Sequence, residues 1–71
     1  MAQETVGNTI KIHRQMAGLT QEDFAQRIGV TRQTIIAMEK GNYVPSVLLA
    51  LKIAREFEKP LEEIFYVDES G

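Results

Sequence analysis

Residues 21–40, QEDFAQRIGVTRQTIIAMEK, decide the fold of this chain. The segment is typical of two short helices that meet at a steep angle through a tight turn. Close contact between the helices needs a small residue, which Ala25 supplies, and the turn needs a positive φ, which Gly29 adopts without steric cost. The second helix buries its inner face through Ile35 and Met38, so its outer face stays free.

Capping residues and glycines extend this pattern to five short helices. Thr20, Thr31 and Ser46 each stand where a side-chain oxygen can cap the first turn of a helix. Gly18 and Gly29 suit the left-handed residue that ends one. The predicted helices cover about 8–17, 20–28, 31–40, 47–57 and 61–65, and residues 66–67 suit a short strand.

The five helices must share one core, because none of them is long enough to be stable alone. The chain of 71 residues has room for one domain (1–71), which we expect to be ordered from about 8 to 65. A core of this size is marginal, so dimerisation would add stability. The predicted core consists of Ile12, Met16, Leu19, Phe24, Ala25, Ile28, Val30, Ile35, Met38, Val47, Leu51, Ala54, Phe57, Leu61, Ile64 and Phe65.

The composition argues against several classes of protein. Without cysteine the chain has no disulfide and no thiolate site, which suits a reducing cytoplasm. The longest apolar run, Val47–Leu51, has five residues, whereas a membrane span needs roughly 20, and the N-terminus lacks the features of a signal peptide.

We see no phosphate loop, no nucleophile with its base and no metal cluster, and expect the single histidine, His13, to be solvated. We therefore predict a cytoplasmic protein that is no enzyme and has no metal, cofactor or small-molecule ligand.

Four phrases carry a resemblance to a known family: GLTQEDFAQRIGVTRQTI (18–35), MEKGNYVPS (38–46), LALKIA (49–54) and PLEEIF (60–65). Over roughly residues 8–65 the chain resembles the Xre/Cro-like (lambda-repressor-like) helix-turn-helix family, and especially its short single-domain regulators. The resemblance implies an all-α, five-helix DNA-binding fold, a recognition helix at Thr31–Lys40 and a homodimer.

The start of a recognition helix reaches base edges when the helix enters the major groove. Arg32 can bind O6 and N7 of guanine, and Gln33 can bind N6 and N7 of adenine. Thr34 can reach a thymine methyl group or a phosphate. Ile36 and Ala37 share the outer face one turn on, where Ile36 is either a thymine-methyl contact or simply exposed. The predicted base contacts are therefore Arg32, Gln33, Thr34, Ile36 and Ala37.

Five further residues are predicted to contact phosphates: Gln21, Thr31, Lys40, Asn42 and Tyr43. Gln21 opens a helix whose first amides favour an anion, and the resemblance implies a backbone contact there. Its alternative role is that of an ordinary polar residue. Asn42 is equally explained as a turn residue, and Tyr43 as a residue that packs against the fourth helix.

The resemblance also bears on two structural features, and apolar residues of the fourth helix and the C-terminal end indicate a third. Arg14 and Glu39 match a pair of residues that form a structural ion pair, although Arg14 alone also suits a phosphate contact. Glu58 stands where the family often has Gly or Asn, and it is strained if its φ is positive. The predicted dimer interface comprises Leu48, Ile64, Tyr66 and Val67, with a strand at 64–67 that pairs across the dimer; alternatively, Leu48 is lightly exposed and the tail packs on its own subunit.

The charge of the chain is unusual for a nucleic-acid binder, at −2 overall. Residues 1–45 carry +1 and residues 46–71 carry −3, so the excess acid lies in the C-terminal half and should weaken non-specific binding. We predict sequence-specific binding of double-stranded DNA by a stand-alone transcriptional repressor. The alternative is the antitoxin of a toxin–antitoxin pair, in which the acidic half would bind a basic partner, although only residues 66–71 remain for that contact.

Overall fold

The computed structural model describes residues 4–69, so the parts of the predicted domain at 1–3 and 70–71 lie outside the described residues. Within residues 4–69 the chain forms five helices and a two-stranded antiparallel sheet. In chain order the elements are β1 (Thr5–Asn8), α1 (Ile10–Met16), α2 (Gln21–Ile28), α3 (Arg32–Glu39), α4 (Val47–Phe57), α5 (Leu61–Ile64) and β2 (Phe65–Asp68).

The predicted caps begin three of these helices. The Thr20 hydroxyl accepts from the Asp23 amide, and the Asp23 carboxylate accepts from the Thr20 amide, which is a complete capping box at the start of α2. Thr31 and Ser46 cap α3 and α4 in the same way through their side-chain oxygens. The short helices therefore begin where local chemistry supplies an acceptor for their first free amides.

The core lies between α2, α3 and α4 and is closed by α1 and α5. Its fully buried apolar members are Ile10, Phe24, Ala25, Ile28, Ile35, Met38, Ile53, Ala54 and Ile64, and the half-buried residues packed around them are Leu19, Val30, Leu49, Phe57, Leu61 and Phe65. Twelve of the sixteen predicted core residues belong to these two sets. The Phe24 and Phe57 rings stack with centroids 4.9 Å apart, which joins α2 to α4.

The predicted inner face of α1 is wrong. Ile12 and Met16 are 57% and 80% exposed, whereas Ile10 and Arg14 are buried. Both pairs are four residues apart, so each forms a stripe along the helix. The charge of Arg14 disguised the inner stripe, because an arginine is rarely buried unless it is paired.

The inner face of α4 was predicted correctly at Ala54 and Phe57 but wrongly at Val47 and Leu51, which are exposed. Ile53, which was not predicted, is buried instead. The helix is apolar on several faces, VLLALKIAREF. Its hydrophobic pattern therefore shows a helix without showing which side faces the core.

The sheet joins the two ends of the described chain. β1 pairs with β2 in the register Val6 with Val67 and Gly7 with Tyr66. Neither β1 nor its pairing was predicted: Asn8 was assigned to the first helix, which begins at Ile10, and Phe65 to the last, which ends at Ile64. A glycine inside a strand weakens the local signal, but here a Cβ at position 7 would overlap the ring of Tyr66.

His13 is half-buried, not solvated as predicted. Its Nδ1 lies 2.9 Å from the carbonyl oxygen of Thr9, and its ring centroid lies 5.5 Å from that of Phe57. The histidine therefore helps to pack α1 against α4, a contact that its polar neighbours in sequence do not reveal.

Candidate nucleic-acid interface

The helix-turn-helix unit consists of α2, the turn at 29–31 and α3. Gly29 has a φ of +76°, and the Val30 amide donates a hydrogen bond of 3.0 Å to the Ala25 carbonyl, which fixes the turn. Ile35 and Met38 are fully buried on the inner face of α3. The opposite face of α3 is held outward by this packing.

Arg32 and Gln33 are exposed in the first turn of α3. The other three predicted base contacts, Thr34, Ile36 and Ala37, are half-buried. The Thr34 hydroxyl lies 3.1 Å from that of Thr31, and the Thr34 amide donates to the same Thr31 oxygen. The Thr31 hydroxyl is thus used in capping and the Thr34 hydroxyl contacts it, while Arg32 and Gln33 hold the most accessible donors of the helix.

The Arg14–Glu39 ion pair forms and is buried. Arg14 Nε donates to Glu39 Oε2 at 2.7 Å and Nη2 to Oε1 at 3.3 Å, and the two side chains are 10% and 5% exposed. Arg14 Nη1 also donates to the Leu19 carbonyl at 2.8 Å. The guanidinium therefore joins α1 to α3 and to the turn before α2. Its donors serve the fold, which argues against the alternative of a phosphate contact.

The same pair has an electrostatic consequence for α3. Glu39 is the single acidic residue of that helix. Because Arg14 neutralises it, the helix presents Arg32 to a polyanion without an opposing bare carboxylate.

Gln21 is attached to α3 although it belongs to α2. Its Nε2 donates to Glu39 Oε1 at 3.2 Å, and the residue is half-buried. The predicted phosphate contact of Gln21 stays a prediction, now with the amide fixed beside the end of α3. The sequence carries no signal for this hydrogen bond, because its partners are 18 residues apart.

The remaining predicted phosphate contacts lie at the two ends of α3. Thr31 precedes the helix and is exposed; Lys40, Asn42 and Tyr43 follow it and are exposed as well. Gly41, with a φ of +80°, turns the chain between them. One helix thus separates the hydroxyl of Thr31 from Lys40, Asn42 and Tyr43.

The predicted dimer residues divide into two groups. Leu48, Tyr66 and Val67 are exposed, as an interface requires of a free subunit. Ile64 is 0% exposed, so its assignment to the interface is wrong: it packs within the core of its own chain. The predicted strand forms at Phe65–Asp68 and pairs with β1 of the same chain; strand pairing across a dimer stays a prediction.

An apolar surface that the sequence reasoning did not assemble surrounds Leu48. Val44, Val47 and Leu51 are exposed beside it. An adjoining groove is lined entirely by apolar residues, namely Val6, Val44, Pro45, Val47, Ala50, Leu61 and Phe65. We call these residues together the α4 surface. The sequence signal for this surface was the apolar residues of α4, of which Leu48 was assigned to a dimer interface and Val47 and Leu51 to the core.

Residues 4–69 contain no cluster of His, Cys, Asp and Glu that could hold a metal ion. None of the helices described in that range is long and apolar enough to span a membrane.

Comparison with known proteins shows what this unit is similar to. Residues 10–64 match the family HTH_3, helix-turn-helix. The chain is 57% identical over 63 residues to an uncharacterized HTH-type transcriptional regulator of Methanothermobacter thermautotrophicus. The match covers 87% of this chain and 91% of that protein. It is 48% identical over 64 residues to YgzD of Bacillus subtilis, also an uncharacterized HTH-type transcriptional regulator, with coverage of 90% and 97%.

A solved structure agrees with this assignment. The restriction-modification controller protein C.AhdI of Aeromonas hydrophila superposes with a TM-score of 0.69 at 28% identity, over 76% of this chain and 78% of that one. The five-helix architecture with a short C-terminal strand is therefore that of the lambda-repressor-like domains, and the two relatives carry the name of HTH-type transcriptional regulators. With α3 as its second helix-turn-helix element, the chain belongs to the HTH_3 family of Xre/Cro-like DNA-binding transcriptional regulators.

Proposed function

We propose that the protein binds a specific double-stranded DNA site with α3 in the major groove and acts as a transcriptional repressor. The observation that carries this is the exposure of Arg32 and Gln33 on a helix whose inner face is fully buried. Base readout requires donors held in a fixed position, and the buried Ile35 and Met38 provide that rigidity. For relatives in bacteria and archaea the DNA lies in the cytoplasm, where we place the protein too.

The proposed contacts follow the position of each residue on α3. Arg32 and Gln33 read base edges, with Thr34, Ile36 and Ala37 beside them on the groove side. Gln21, Thr31, Lys40, Asn42 and Tyr43 bind phosphates on either side of the groove. Phosphate contacts set the register and base contacts the preference, so the two groups of side chains serve different ends.

We also propose that the protein is a homodimer that uses the α4 surface. Val47 and Leu48 are 75% and 71% exposed, and a contiguous exposed apolar surface generally marks an interaction site. The groove carries no charged lining residue, so a second copy would meet no like charge there. A two-fold dimer would present two α3 helices to successive turns of the major groove, about 34 Å apart.

The antitoxin alternative receives less support from the structure. Within the segment proposed for toxin binding, Tyr66, Val67 and Asp68 pair with β1 of the same chain. A partner protein would have to use other atoms of these residues.

The test is selection of bound sequences from a random duplex pool, followed by titration of the selected site at two salt concentrations. Enrichment of a palindrome, with affinity that falls steeply with salt, would support specific readout by a dimer. Failure to enrich any sequence would contradict the proposal. Repression is tested separately, by transcription in vitro from a promoter that overlaps the selected site, with a scrambled site as control.

A further inference from the structure

β1 and β2 lie outside residues 10–64, the part of the chain that the family covers. β1 nevertheless reaches the recognition helix through its last residue. Asn8 Nδ2 donates a hydrogen bond of 2.8 Å to the main-chain carbonyl of Met38, one residue before the end of α3. The sheet thus joins the two ends of the described chain and is also hydrogen-bonded to α3.

The carbonyl of Met38 also fixes the turn that follows α3. The Gly41 amide donates to this same oxygen at 3.0 Å, and the Asn42 amide donates to the Ala37 carbonyl at 2.9 Å. Gly41 adopts the left-handed conformation that commonly ends a helix. Because Asn8 and Gly41 share one acceptor, the Asn8 side chain holds the atom on which the turn is built.

Asn8 is itself held from three other sides. Its Oδ1 accepts from the Ile10 amide at 3.1 Å at the start of α1, and its main chain pairs with Phe65 in β2. The next amide, that of Thr9, donates to the Ile64 carbonyl at 2.8 Å at the end of α5. The Oδ1 and Nδ2 atoms of Asn8 are thus both hydrogen-bonded. The side chain connects the end of α3 to a segment whose main chain is held by α5 and β2.

We infer that Asn8 is a positioning residue for DNA binding: it holds the turn at 40–43 so that Lys40, Asn42 and Tyr43 reach the phosphate backbone. The inference rests on the proposed function. It gives the sheet, which lies outside residues 10–64, a role in contact with the phosphate backbone of DNA. Asn8 touches no DNA in this scheme. It acts through the Met38 carbonyl, so its loss should reduce phosphate contacts and leave base preference unchanged.

The experiment compares Asn8→Ser with the wild-type protein on the selected duplex. A serine hydroxyl can still accept from the Ile10 amide, but it is shorter than the amide that reaches Met38, and it adds no charge. We expect affinity to fall about 3–10-fold, which corresponds to the loss of one hydrogen bond. The slope of log affinity against log salt should become shallower by about one phosphate contact. The order of preferred sequences should not change.

Thr9→Val is the matched control. It also removes a side-chain to main-chain hydrogen bond, from Thr9 Oγ1 to the Glu63 carbonyl at 2.8 Å, but that bond leads to α5 instead of α3. Its salt slope should equal that of the wild-type protein. An equal loss of slope in both variants would show general loosening and would overturn the role of Asn8.

A second readout needs no DNA. In the free Asn8→Ser protein the amides of Gly41 and Asn42 should exchange with solvent about 3–10-fold faster than in the wild type, while those of α2 should not change. If Asn8→Ser does not fold, Asn8→Gln, which moves the amide by one methylene, serves for both measurements with the same expected direction. An unchanged slope and unchanged exchange would overturn the inference, whereas failure of the wild-type protein to bind any duplex would overturn the proposed function.

Discussion

Arg14 and Glu39 show how strongly the cost of breaking an ion pair depends on the burial of its two side chains. Their ion pair is almost fully buried, while the second ion pair, Arg27 with Glu56 at 3.0 Å, has side chains that are 55% and 28% exposed. A buried charge that loses its partner remains desolvated and uncompensated. An exposed charge that loses its partner is solvated by water instead.

Glu39→Ala is therefore expected to lower the free energy of unfolding by roughly 3–5 kcal/mol, measured by urea denaturation. The surface variant Glu56→Ala should cost only about 0–1 kcal/mol. The double variant Arg14→Met with Glu39→Met should lose less stability than Arg14→Met alone and Glu39→Met alone lose in sum, because the double variant leaves no buried charge. Additive losses would show that the two residues do not act as a pair.

Arg32 is the residue on which base readout depends most directly. Arg32→Ala should cost roughly 1–3 kcal/mol at the selected site and should relax the preference at one base pair. The measurement is a titration on the selected duplex and on duplexes altered at each position. Arg55→Ala, which removes an exposed arginine from α4, controls for the loss of charge. If both variants bind all duplexes equally weakly, Arg32 contacts phosphate and not a base.

Glu58 has a φ of +54° and is the one non-glycine residue with a positive φ among residues 4–69. It ends α4 in a conformation that costs side chains other than glycine roughly 1–2 kcal/mol. Glu58→Gly should therefore raise the free energy of unfolding by about 0.5–1 kcal/mol, after the larger entropy of glycine in the unfolded chain is subtracted. Lys59→Gly, at a neighbour with an ordinary φ, should lower it. Urea denaturation of both variants checks the contrast in sign.

The elements differ in how much of their structure is local. Capping threonines precede α2 and α3, and a glycine follows α2. These helix ends therefore follow from residues that lie next to them in the sequence. The sheet has no such local origin, since β1 and β2 stand about 60 residues apart in the sequence. Two strands alone are marginal, so contacts such as the Tyr66 ring on Gly7 contribute to holding them.

Gly7→Ala tests that contact. The new methyl group would overlap the Tyr66 ring, which must move away from β1. We expect a loss of about 0.5–1 kcal/mol in the free energy of unfolding, the value of a cross-strand side-chain pair. In a Tyr66→Ala background the same substitution should be neutral or stabilising, because alanine is less flexible than glycine in the unfolded chain. An equal loss in both backgrounds would place the cost elsewhere than in the ring.

At the scale of the whole molecule, one side carries the outer face of α3 and another carries the α4 surface. Val47 and Leu51 of that surface were assigned to the core by their spacing, but the core is already filled from the other side of α4 by Ile53 and Ala54. An apolar face left over when the core is complete is what association of subunits would bury.

Leu48→Glu is accordingly expected to shift the protein from dimer to monomer, because a charge cannot be buried in that surface without a partner. Sedimentation velocity at several concentrations measures the shift. Met16→Glu is the control: Met16 is 80% exposed on α1, outside the α4 surface, and its substitution should leave the sedimentation coefficient unchanged. A wild-type protein that sediments as a monomer at all concentrations would contradict the proposed homodimer.

The helix-turn-helix unit, the caps, most of the core and the family could all be predicted from the amino-acid sequence. These depend on residues a few positions apart: a threonine and the amide three residues later, a glycine in a tight turn, isoleucine and methionine on one helical face. Such interactions are present wherever the segment folds, so a local pattern is sufficient to predict them.

Tertiary contacts determine which stripe of α1 and of α4 faces inward, how β1 pairs and where Gln21 and Asn8 bind. α1 offers two stripes with the same spacing, and the buried one contains a charge that is tolerable only because Glu39, 25 residues away in the sequence, neutralises it. Asn8 likewise finds its acceptor 30 residues away. The interactions that stabilise these arrangements come from residues distant in the sequence, which no local pattern contains. The arrangements are therefore determined only when the helices pack together.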